Sequence, residues 1–336
     1  MTKILLSADD RTGALEIGGL VADGGTSVPV GPNARDATCC VIDIATRHLA
    51  PAQAQACMVD LLRINATHRA HKMDAGLRGN WTHEIAVLLE AGYRVAVVCS
   101  FPDAGRRCKD GVVYIHDLPV LESVFGQDPL NAPISSRPAD VLEHDGVRGD
   151  WVVWDANDNA EMHLAIRRAA AENRILIGAS GVLGAFAEQF LPQGRRAPLR
   201  LPAPKLVLCG SLNPLSREQI GKLEVAAHKV GETFALQDVN LLATPVPEGE
   251  IDDVQALAMA DTAARQVRAL WSQLGTVLII GGDTVGAVVG DEDLHVLGTV
   301  APGIPVARFD GCYLITKGGG IGQSDTLRAL LQRDLL

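Results

Sequence analysis

The stretch His71–Asn80 reads HKMDAGLRGN and lies between a strand-like run and a helix-like one. It brings Lys72, Asp74 and Arg78 close together in the chain, with two glycines nearby. Open α/β sheets place their ligand chemistry where strand ends lead into helix starts. Arginine suits bidentate recognition of a carboxylate or phosphate, and lysine supplies a mobile point charge. The stretch therefore predicts an anion-binding strand end or, more simply, a salt-bridged turn.

Strand-like and helix-like segments alternate on both sides of this stretch. Apolar runs, of the kind buried in parallel sheets, predict strands at Lys3–Ser7, Cys39–Ile44, Val95–Cys99, Trp151–Trp154 and Ile175–Gly178. Helical spacing predicts helices at Gly13–Ala22, Pro51–Ile64, Thr82–Glu90, Glu161–Glu172 and Gly181–Phe190. The alternation indicates an α/β fold with mainly parallel sheets.

A proline-rich polar segment, Pro192–Pro198 with Pro202 and Pro204, then interrupts the pattern and is typical of a linker. Beyond it the alternation restarts, with Lys205–Cys209, Thr233–Leu236 and Val277–Ile280 as strands, Pro214–Val230 and Val254–Leu274 as helices, strand-like pieces near Val296, Val306 and Leu314, and a last helix Asp325–Leu331. A chain of 336 residues is long for one core. We therefore expect two α/β lobes, residues 1–195 and 196–336, with a substrate cleft between them.

Composition excludes several functional classes. The net charge is −10 and no basic run is sustained, which argues against nucleic acid as a partner. The 7 cysteines are scattered without CxxC spacing, which predicts a reducing, cytoplasmic setting, no disulfide framework and no zinc site. The acidic pair Asp9-Asp10 comes too early for a signal peptide, and no apolar run is long enough for a bilayer, so no membrane partner is expected.

Three glycine-containing turns follow strands in the second half of the chain: Cys209–Pro214, Gly281–Thr284 and Thr316–Gly322. Glycines let backbone N–H groups approach an anion, and helix N-termini add partial positive charge. Together the turns predict a polyphosphate cradle with Lys317 as counter-charge, although each turn could simply be a tight connection. Neither the P-loop pattern nor a dinucleotide-binding fingerprint is present.

Paired carboxylates follow the first strand, in Ser7–Ala14. One of Asp9 and Asp10 could accept a proton from a hydroxyl or bind Mg²⁺, whereas the simpler role for Asp10 or Thr12 is to cap the next helix. Arg106 follows another apolar strand and is expected at the same edge. The histidines form no HxH or HExxH pattern and are interpreted as structural or solvated, and no GxSxG elbow indicates a serine hydrolase.

Several motifs, in the same order and nearly end to end, resemble the four-carbon acid sugar kinases, a family formerly of unknown function. The family patterns are A-D-D-x-T-G-A, K-x-D-S-T-x-R-G-N, F-P-x-x-G-R, Asp-Pro, G-S, G-G-E-T and K-S-G-N-F-G. The matching segments here are Ala8–Ala14, Lys72–Asn80, Phe101–Arg106, Asp128-Pro129, Gly210-Ser211, Gly281–Thr284 and Lys317–Gly322.

The chain departs from the family patterns at several positions, and it looks shorter than typical members. Ala75-Gly76 stands where the family usually has Ser-Thr, so two hydroxyls are missing from the expected acid pocket. The other departures are Glu16 for Asp, Asp283 for Glu, Gly318 for Ser, Gly320 for Asn and Ile321 for Phe. Sites built to hydrogen-bond a hydroxyl discriminate strongly, so we expect weak binding of a threonate-like acid and a preference for a ligand with fewer hydroxyls or a bulkier apolar group there. The alternative is that the Ser-Thr pair of the family only caps the following helix, so that its loss leaves specificity unchanged.

The resemblance implies an ATP-dependent kinase of a small, four-carbon-like sugar acid, with the acid in the first lobe and ATP with Mg²⁺ in the second. Asp10 or Asp74 would orient the attacking hydroxyl, and the choice between them stays open. The implied acid-binding residues are Asp9, Lys72, Arg78 and Arg106. The implied nucleotide-binding residues are Ser211, Gly281, Gly282, Asp283, Thr284, Lys317, Gly318, Gly319 and Gly320.

No residue is assigned as a metal ligand, and assembly into a homo-oligomer is left open. The alternatives are a degenerate member that binds nucleotide or acid without efficient transfer and, from another class, a nicotinamide dehydrogenase, which the missing fingerprint disfavours.

Overall fold

The computed structural model describes residues 3–35, 37–128, 132–192, 194–246 and 253–332. The chain folds into two compact units. The first comprises Met1–Val21 and Val28–Gln193, and the second comprises Ala22–Ser27 and Gly194–Leu336. The short segment Ala22–Ser27 packs with the second unit because Asp23 accepts hydrogen bonds from the backbone N (2.8 Å) and the hydroxyl (2.6 Å) of Thr299.

The first unit alternates strands and helices. Its strands are β1 (Ile4–Ala8), β2 (Val28–Gly31), β3 (Cys39–Asp43), β4 (His68–Lys72), β5 (Arg94–Val98), β6 (Arg106–Lys109), β7 (Val112–Ile115), β8 (Leu118–Pro119), β9 (Trp151–Val153) and β10 (Arg174–Gly178). Its helices are α1 (Arg11–Ala22), α2 (Pro51–Leu62), α3 (Trp81–Glu90), α4 (Pro138–His144), α5 (Asn159–Ala171) and α6 (Ser180–Glu188).

Strand β1 is an inner strand of the sheet of this unit and marks the point where the strand order changes direction. The strand order is β2-β3-β1-β4-β10-β5-β9, and the described pairings are parallel. The chain fills one side of β1 with β2 and β3 before it crosses to β4 on the other side. This change of direction creates a switch point at the carboxyl end of β1, where open α/β sheets bind ligands. A small antiparallel sheet, β6-β7-β8, follows β5.

The second unit carries seven further strands in the described residues. They are β11 (Lys205–Cys209), β12 (Ala227–Lys229), β13 (Val239–Ala243), β14 (Thr276–Ile280), β15 (Leu294–Ala301), β16 (Ile304–Phe309) and β17 (Cys312–Lys317). The helices are α7 (Pro214–Gly221), α8 (Asp253–Leu270), α9 (Gly282–Val289) and α10 (Thr326–Gln332). The order is β12-β13-β11-β14-β17-β16-β15, parallel as far as β17 and antiparallel beyond it.

Apolar side chains from the strands and the covering helices form a core in each unit. In the first unit, Val95 and Val97 of β5 pack with Trp81 and Ile85 of α3. In the second, Val207 of β11 belongs to a cluster with strands β14 and β17 and helix α10. The burial of whole strands on both faces agrees with the continuous apolar runs of the sequence. Among the helices of the described ranges, none is both long and apolar enough to span a bilayer.

The predicted α/β class with mainly parallel sheets is confirmed, but the segment after β11 was predicted wrongly. Helix α7 ends at Gly221 rather than Val230, and the next strand is Ala227–Lys229 rather than Thr233–Leu236. Glycine is a poor helix former, and β12 is a largely exposed edge strand that lacks an apolar signal. The Phe234 ring stacks on His228, with 4.1 Å between ring centroids, and its backbone joins no ladder.

Candidate acid site and nucleotide site

Residues after three neighbouring strands meet at the carboxyl edge of the first sheet. Asp9 and Asp10 follow β1, Arg47 follows β3, and Lys72 ends β4. Register pairs Ala8 with the last residues of β3 and β4, so these ends lie side by side. The topology therefore explains why residues far apart in the sequence form one cluster.

Lys72 bridges the two aspartates. Its Nζ donates to Asp9 Oδ1 at 3.1 Å and to Asp10 Oδ1 at 3.3 Å, and the side chain is buried. Asp10 Oδ1 also accepts from the backbone N of Gly13 (3.2 Å), so Asp10 caps α1 as well. A Cβ atom on Gly13 would lie 2.3 Å from Lys72 Cε, so only glycine leaves room for the lysine here. The capping role and the site role thus coexist.

Arg47 joins the three aspartates and was missed in the sequence. Its Nη2 lies 2.8 Å from Asp9 Oδ2, 2.9 Å from Asp10 Oδ1 and 3.5 Å from Asp74 Oδ1. Its Nε donates to Asp9 Oδ2 at 2.8 Å. The signal that could have found it is its position just after a buried strand that neighbours β1, the same argument that was applied to Arg106.

A chain of buried polar side chains supports the loop that carries Arg47. Thr46 donates to Glu84, whose second oxygen lies 2.8 Å from His71 Nε2. Nδ1 of His71 lies 2.8 Å from Ser7 Oγ. Each of these four side chains is almost inaccessible to solvent. His71 is therefore structural, and the chain ties β1, β4 and α3 to the loop after β3.

Arg78 is more fully occupied than expected for a ligand-binding arginine. Its Nε and Nη2 donate to the two oxygens of Asp74, at 2.8 and 3.0 Å, and its Nη1 donates to Asp128 at 2.7 Å. An arginine has five N–H donors, so two remain for a ligand. The geometry shows the salt-bridged turn, with Arg78 committed to Asp74, and the anion site stays a prediction. Pro129, the other half of the Asp-Pro motif, lies outside the described residues.

The carboxylate of Asp10 is less fully hydrogen-bonded than those of Asp9 and Asp74. Burial alone would raise the pKa of Asp74, but Arg47 and Arg78 hold it well below its usual range. Burial likewise opposes ionisation of Asp9, and Arg47 and Lys72 reverse the effect and lower its pKa. Both oxygens of each are occupied. The Asp10 side chain is 23% exposed, and no described residue donates to its Oδ2.

Among the predicted acid-binding cations, Arg106 has the fewest acidic partners in the described residues. It begins β6, its Nη1 donates to the carbonyl of Ala104, and it forms no ion pair with a described carboxylate. Burial lowers its pKa, and the charges of Glu16 and Asp74 oppose that shift, so it lies within electrostatic range of the cluster. Glu16 Oε2 accepts a 2.6 Å hydrogen bond from Ser180. Burial raises the pKa of Glu16.

In the second unit, the three glycine turns follow the adjacent strands β11, β14 and β17 and touch one another. The backbone N of Gly210 and of Ser211 both donate to Ile280 O, at 3.0 and 3.1 Å. A Cβ atom on Gly319 would lie 2.5 Å from Ser211 Oγ, and one on Gly210 would lie 1.9 Å from Thr284 Oγ1. The structure thus brings the predicted nucleotide-binding residues together, and close backbone approach requires glycine.

Lys317 lies beneath the last of these turns. Its side chain is 1% exposed, and its Nζ donates to the carbonyl oxygens of Gly318 (2.9 Å) and Gly319 (3.2 Å). No described carboxylate pairs with it. Burial lowers the pKa of Lys317 to about 8. Because a carbonyl and the following N–H point in opposite directions along a planar peptide, the ammonium turns the N–H groups of Gly319 and Gly320 away from itself.

Exposed polar groups surround the same turns. Asp283 is an exposed carboxylate in the first turn of α9, while Thr284 beside it is buried. Ser216 of α7 donates to Gly319 O at 2.6 Å and fixes the loop from the other side. No group of three or more metal-ligating His, Cys, Asp or Glu side chains occurs within the described ranges. The arrangement can therefore present backbone N–H groups and one carboxylate to an anion and its counter-ion.

Two family matches agree with the division into an acid site and a nucleotide site. Residues 4–148 match the sugar-binding N-terminal domain, and residues 246–327 match the nucleotide-binding C-terminal domain. Together the matches cover more than half of the chain.

Two curated relatives are similar along almost their whole length. A D-threonate kinase of Salmonella typhimurium is 26% identical over 415 aligned residues, covering 97% of this chain and 96% of the relative. A D-erythronate kinase of Heliobacterium modesticaldum is 24% identical and covers 97% and 95%.

A solved structure from Salmonella typhimurium, described as a putative tRNA synthase, has a TM-score of 0.81 at 16% identity and covers 100% of both chains. At that identity the likeness shows the fold alone. The family matches, the relatives and the shared order of motifs lead to one conclusion: the chain belongs to the four-carbon acid sugar kinase family.

Proposed function

We propose that the protein is an ATP-dependent kinase that phosphorylates a hydroxyl of a small, four-carbon-like sugar acid. The observation that carries the proposal is the carboxylate of Asp10, which is held by Lys72 and Arg47 through one oxygen while no described residue donates to the other. A fixed, partly exposed carboxylate of this kind is suited to orient a hydroxyl and accept its proton. The family membership supplies the substrate class.

The acid would be held by the cations that keep free donors. Arg106 has no ion-pair partner among the described residues, and Arg78 has two N–H groups left, so these two would receive the carboxylate of the acid. Lys72 and Arg47 would keep Asp9 ionised and would hold Asp10 in place. Since Asp74 is saturated by Arg78 and its pKa is strongly lowered, Asp10 rather than Asp74 is the base.

Nucleotide would bind at the turns of the second unit. The N–H groups of Gly319 and Gly320, together with the hydroxyl of Ser211, would contact the phosphates, and Lys317 would add positive charge. In the transfer, the hydroxyl oxygen forms a bond to the γ-phosphorus, the bond from that phosphorus to the β-phosphate oxygen breaks, ADP leaves, and the proton passes to Asp10.

Mg²⁺ fits the donor set of the second unit. Magnesium is commonly held by one or two carboxylates together with substrate phosphates, and Asp283 is an exposed carboxylate beside the turns. Asp283 would therefore contact the ion. When bound, the ion neutralises phosphate charge.

The test is a turnover assay with ATP and a panel that contains threonate, erythronate, 3-oxo-tetronate and their deoxy analogues, with ADP release as the readout. We expect at least one acid to stimulate ADP release well above the rate with water as acceptor. ADP binding without stimulation by any acid would contradict the proposal and favour a member of the family that binds nucleotide without efficient transfer.

A further inference from the structure

The ring of Phe125 packs into the acid site at the position where the chain departs from the family motif. A Cβ atom placed on Gly76 would lie 2.6 Å from Phe125 Cγ and 2.9 Å from Asp74 Oδ2. The guanidinium carbon of Arg78 lies 4.6 Å from the centre of the same ring. Phe125 therefore occupies the space that a side chain at position 76 would need, and it covers one face of Arg78.

The segment that carries Phe125 is held by its own hydrogen bonds. Ser123 Oγ accepts from the backbone N of Phe125 (3.2 Å) and donates to Val120 O (2.7 Å). The backbone N of Gly126 donates to Ser123 O at 3.1 Å, and a Cβ atom on Gly126 would lie 2.0 Å from Leu121 O. These contacts fix the backbone on both sides of Phe125 from within the segment.

The same segment delivers a second group to the site. Asp128, three residues after Phe125, accepts the hydrogen bond from Arg78 Nη1. Arg78 thus meets Asp74 and Asp128 at its edge and Phe125 on its face. Its two remaining donors lie in the guanidinium plane, so a ligand group that accepts from them lies at the edge of the plane whose face the ring covers.

We propose that Phe125 is a specificity-determining residue of the acid site, which places an apolar ring where a hydroxyl-bearing side chain at position 76 would otherwise stand. The assignment rests on the proposed function. An aromatic ring offers no partner to a hydroxyl that it desolvates, so an acid that lacks the hydroxyl facing the ring binds better. The favoured substrate class is a deoxy four-carbon hydroxy acid.

The first experiment measures acid binding by calorimetry without nucleotide. The ligands are threonate and two of its deoxy analogues, which lack the hydroxyl at carbon two or at carbon three. We expect the wild-type protein to bind one deoxy analogue at least about tenfold more tightly than threonate. Phe125→Ala should bring that ratio close to one, whereas the neighbouring control Val124→Ala, whose side chain is 72% exposed, should leave it unchanged.

A mutant cycle tests the packing independently of any ligand. Gly76→Ser should lower the melting temperature when Phe125 is present, and the loss should largely disappear in the Gly76→Ser, Phe125→Ala double variant, because the ring no longer competes for the space. Equal losses in both backgrounds would overturn the packing argument. An unchanged ligand ratio in Phe125→Ala would overturn the specificity argument.

The outcomes separate this inference from the proposed function. Selective binding of a deoxy acid without phosphorylation of any acid would overturn the kinase proposal and leave the role of Phe125 intact. Phosphorylation of threonate as efficient as that of both deoxy analogues would do the reverse. Failure of every acid to bind either protein would overturn both.

Discussion

The two candidate sites are built by opposite means. The candidate acid site consists of charged side chains that are paired with one another, and Arg47 by itself contacts three carboxylates. The nucleotide site uses backbone groups on glycine turns, with Lys317 as a buried ammonium that lacks a carboxylate partner in the described residues. In a network of paired side chains, the donors that remain unpaired determine which ligands fit and how they are oriented. In glycine turns, the donors are backbone N–H groups, which are present in any sequence, so recognition of a phosphate depends on the backbone conformation.

The largest expected effect concerns Asp10, in the acid site. Asp10→Asn keeps the shape of the side chain but removes the proton acceptor, so turnover should fall by about 10²- to 10⁴-fold. ADP binding should stay unchanged, because no backbone turn of the second unit is altered. Steady-state kinetics and ADP calorimetry measure the two effects. The control is Asp60→Asn on the exposed face of α2.

If Asp60→Asn and Asp10→Asn lost activity equally, the role given to Asp10 would be wrong. A larger loss for Asp74→Asn at unchanged stability would transfer that role to Asp74.

A smaller effect tests the dependence of the nucleotide site on backbone geometry. Gly281 has φ of +117°, and a Cβ atom there would lie 3.3 Å from the backbone N of Ser211. An alanine in that conformation should therefore raise the free energy of the native turn by about 1–3 kcal/mol. We expect Gly281→Ala to weaken ADP binding and to leave acid binding unchanged. Gly286→Ala in α9 is the matched control, since no atom lies within 4 Å of its Cβ position. Calorimetry with ADP and with an acid gives both affinities, and equal losses of the two ligands would contradict the separation of the sites.

The smallest effect concerns the charge of Lys317. Its pKa is lowered to about 8 by burial, so the ammonium is present below that pH and is lost as the pH rises through it. If ADP needs the charged form, its affinity should fall by up to about tenfold between pH 7 and pH 9. The stability of the free protein should change in the opposite direction, because the cost of burying the ammonium is relieved as the pH rises from 8 toward the ordinary lysine pKa.

Lys317→Met should remove both pH dependences. ADP titrations and chemical denaturation at several pH values measure them, and a wild-type affinity that is constant from pH 7 to pH 9 would show that the charge is not used.

Local patterns predicted much of the fold and part of the site. Strands such as β5 and β14 were predictable because they are buried and apolar apart from Arg94 and Thr276 at their first positions, and the turns at Gly210 and Gly281 were predictable because close approach demands glycine. Strand β4 carries a polar run, His68–Lys72, yet its last three residues are buried, since His71 is satisfied by Ser7 and Glu84. Such pairing is invisible in a single sequence.

Tertiary contacts explain what the sequence left out of the sites. Arg47 lies in a loop without glycine or a repeated charge pattern. Its proximity to the aspartates follows only from the pairing of β3 with β1. Phe125 lies 47 residues after Arg78 and reads as an ordinary apolar residue. The roles given to the acid-binding and nucleotide-binding residues, and the expected boundary between residues 195 and 196, stay predictions.

The hydrogen bonds between Asp23 and Thr299 also bear on synthesis of the chain. Asp23 leaves the ribosome early, whereas its partner is made 276 residues later. The second unit therefore cannot be completed from residues 194–336 alone, because one of its pieces precedes most of the first unit in the chain, attached to the end of α1. Production of residues 194–336 alone would leave the Thr299 N–H and hydroxyl without this partner. A fragment that carries Ala22–Ser27 on a linker is the form expected to fold with native stability.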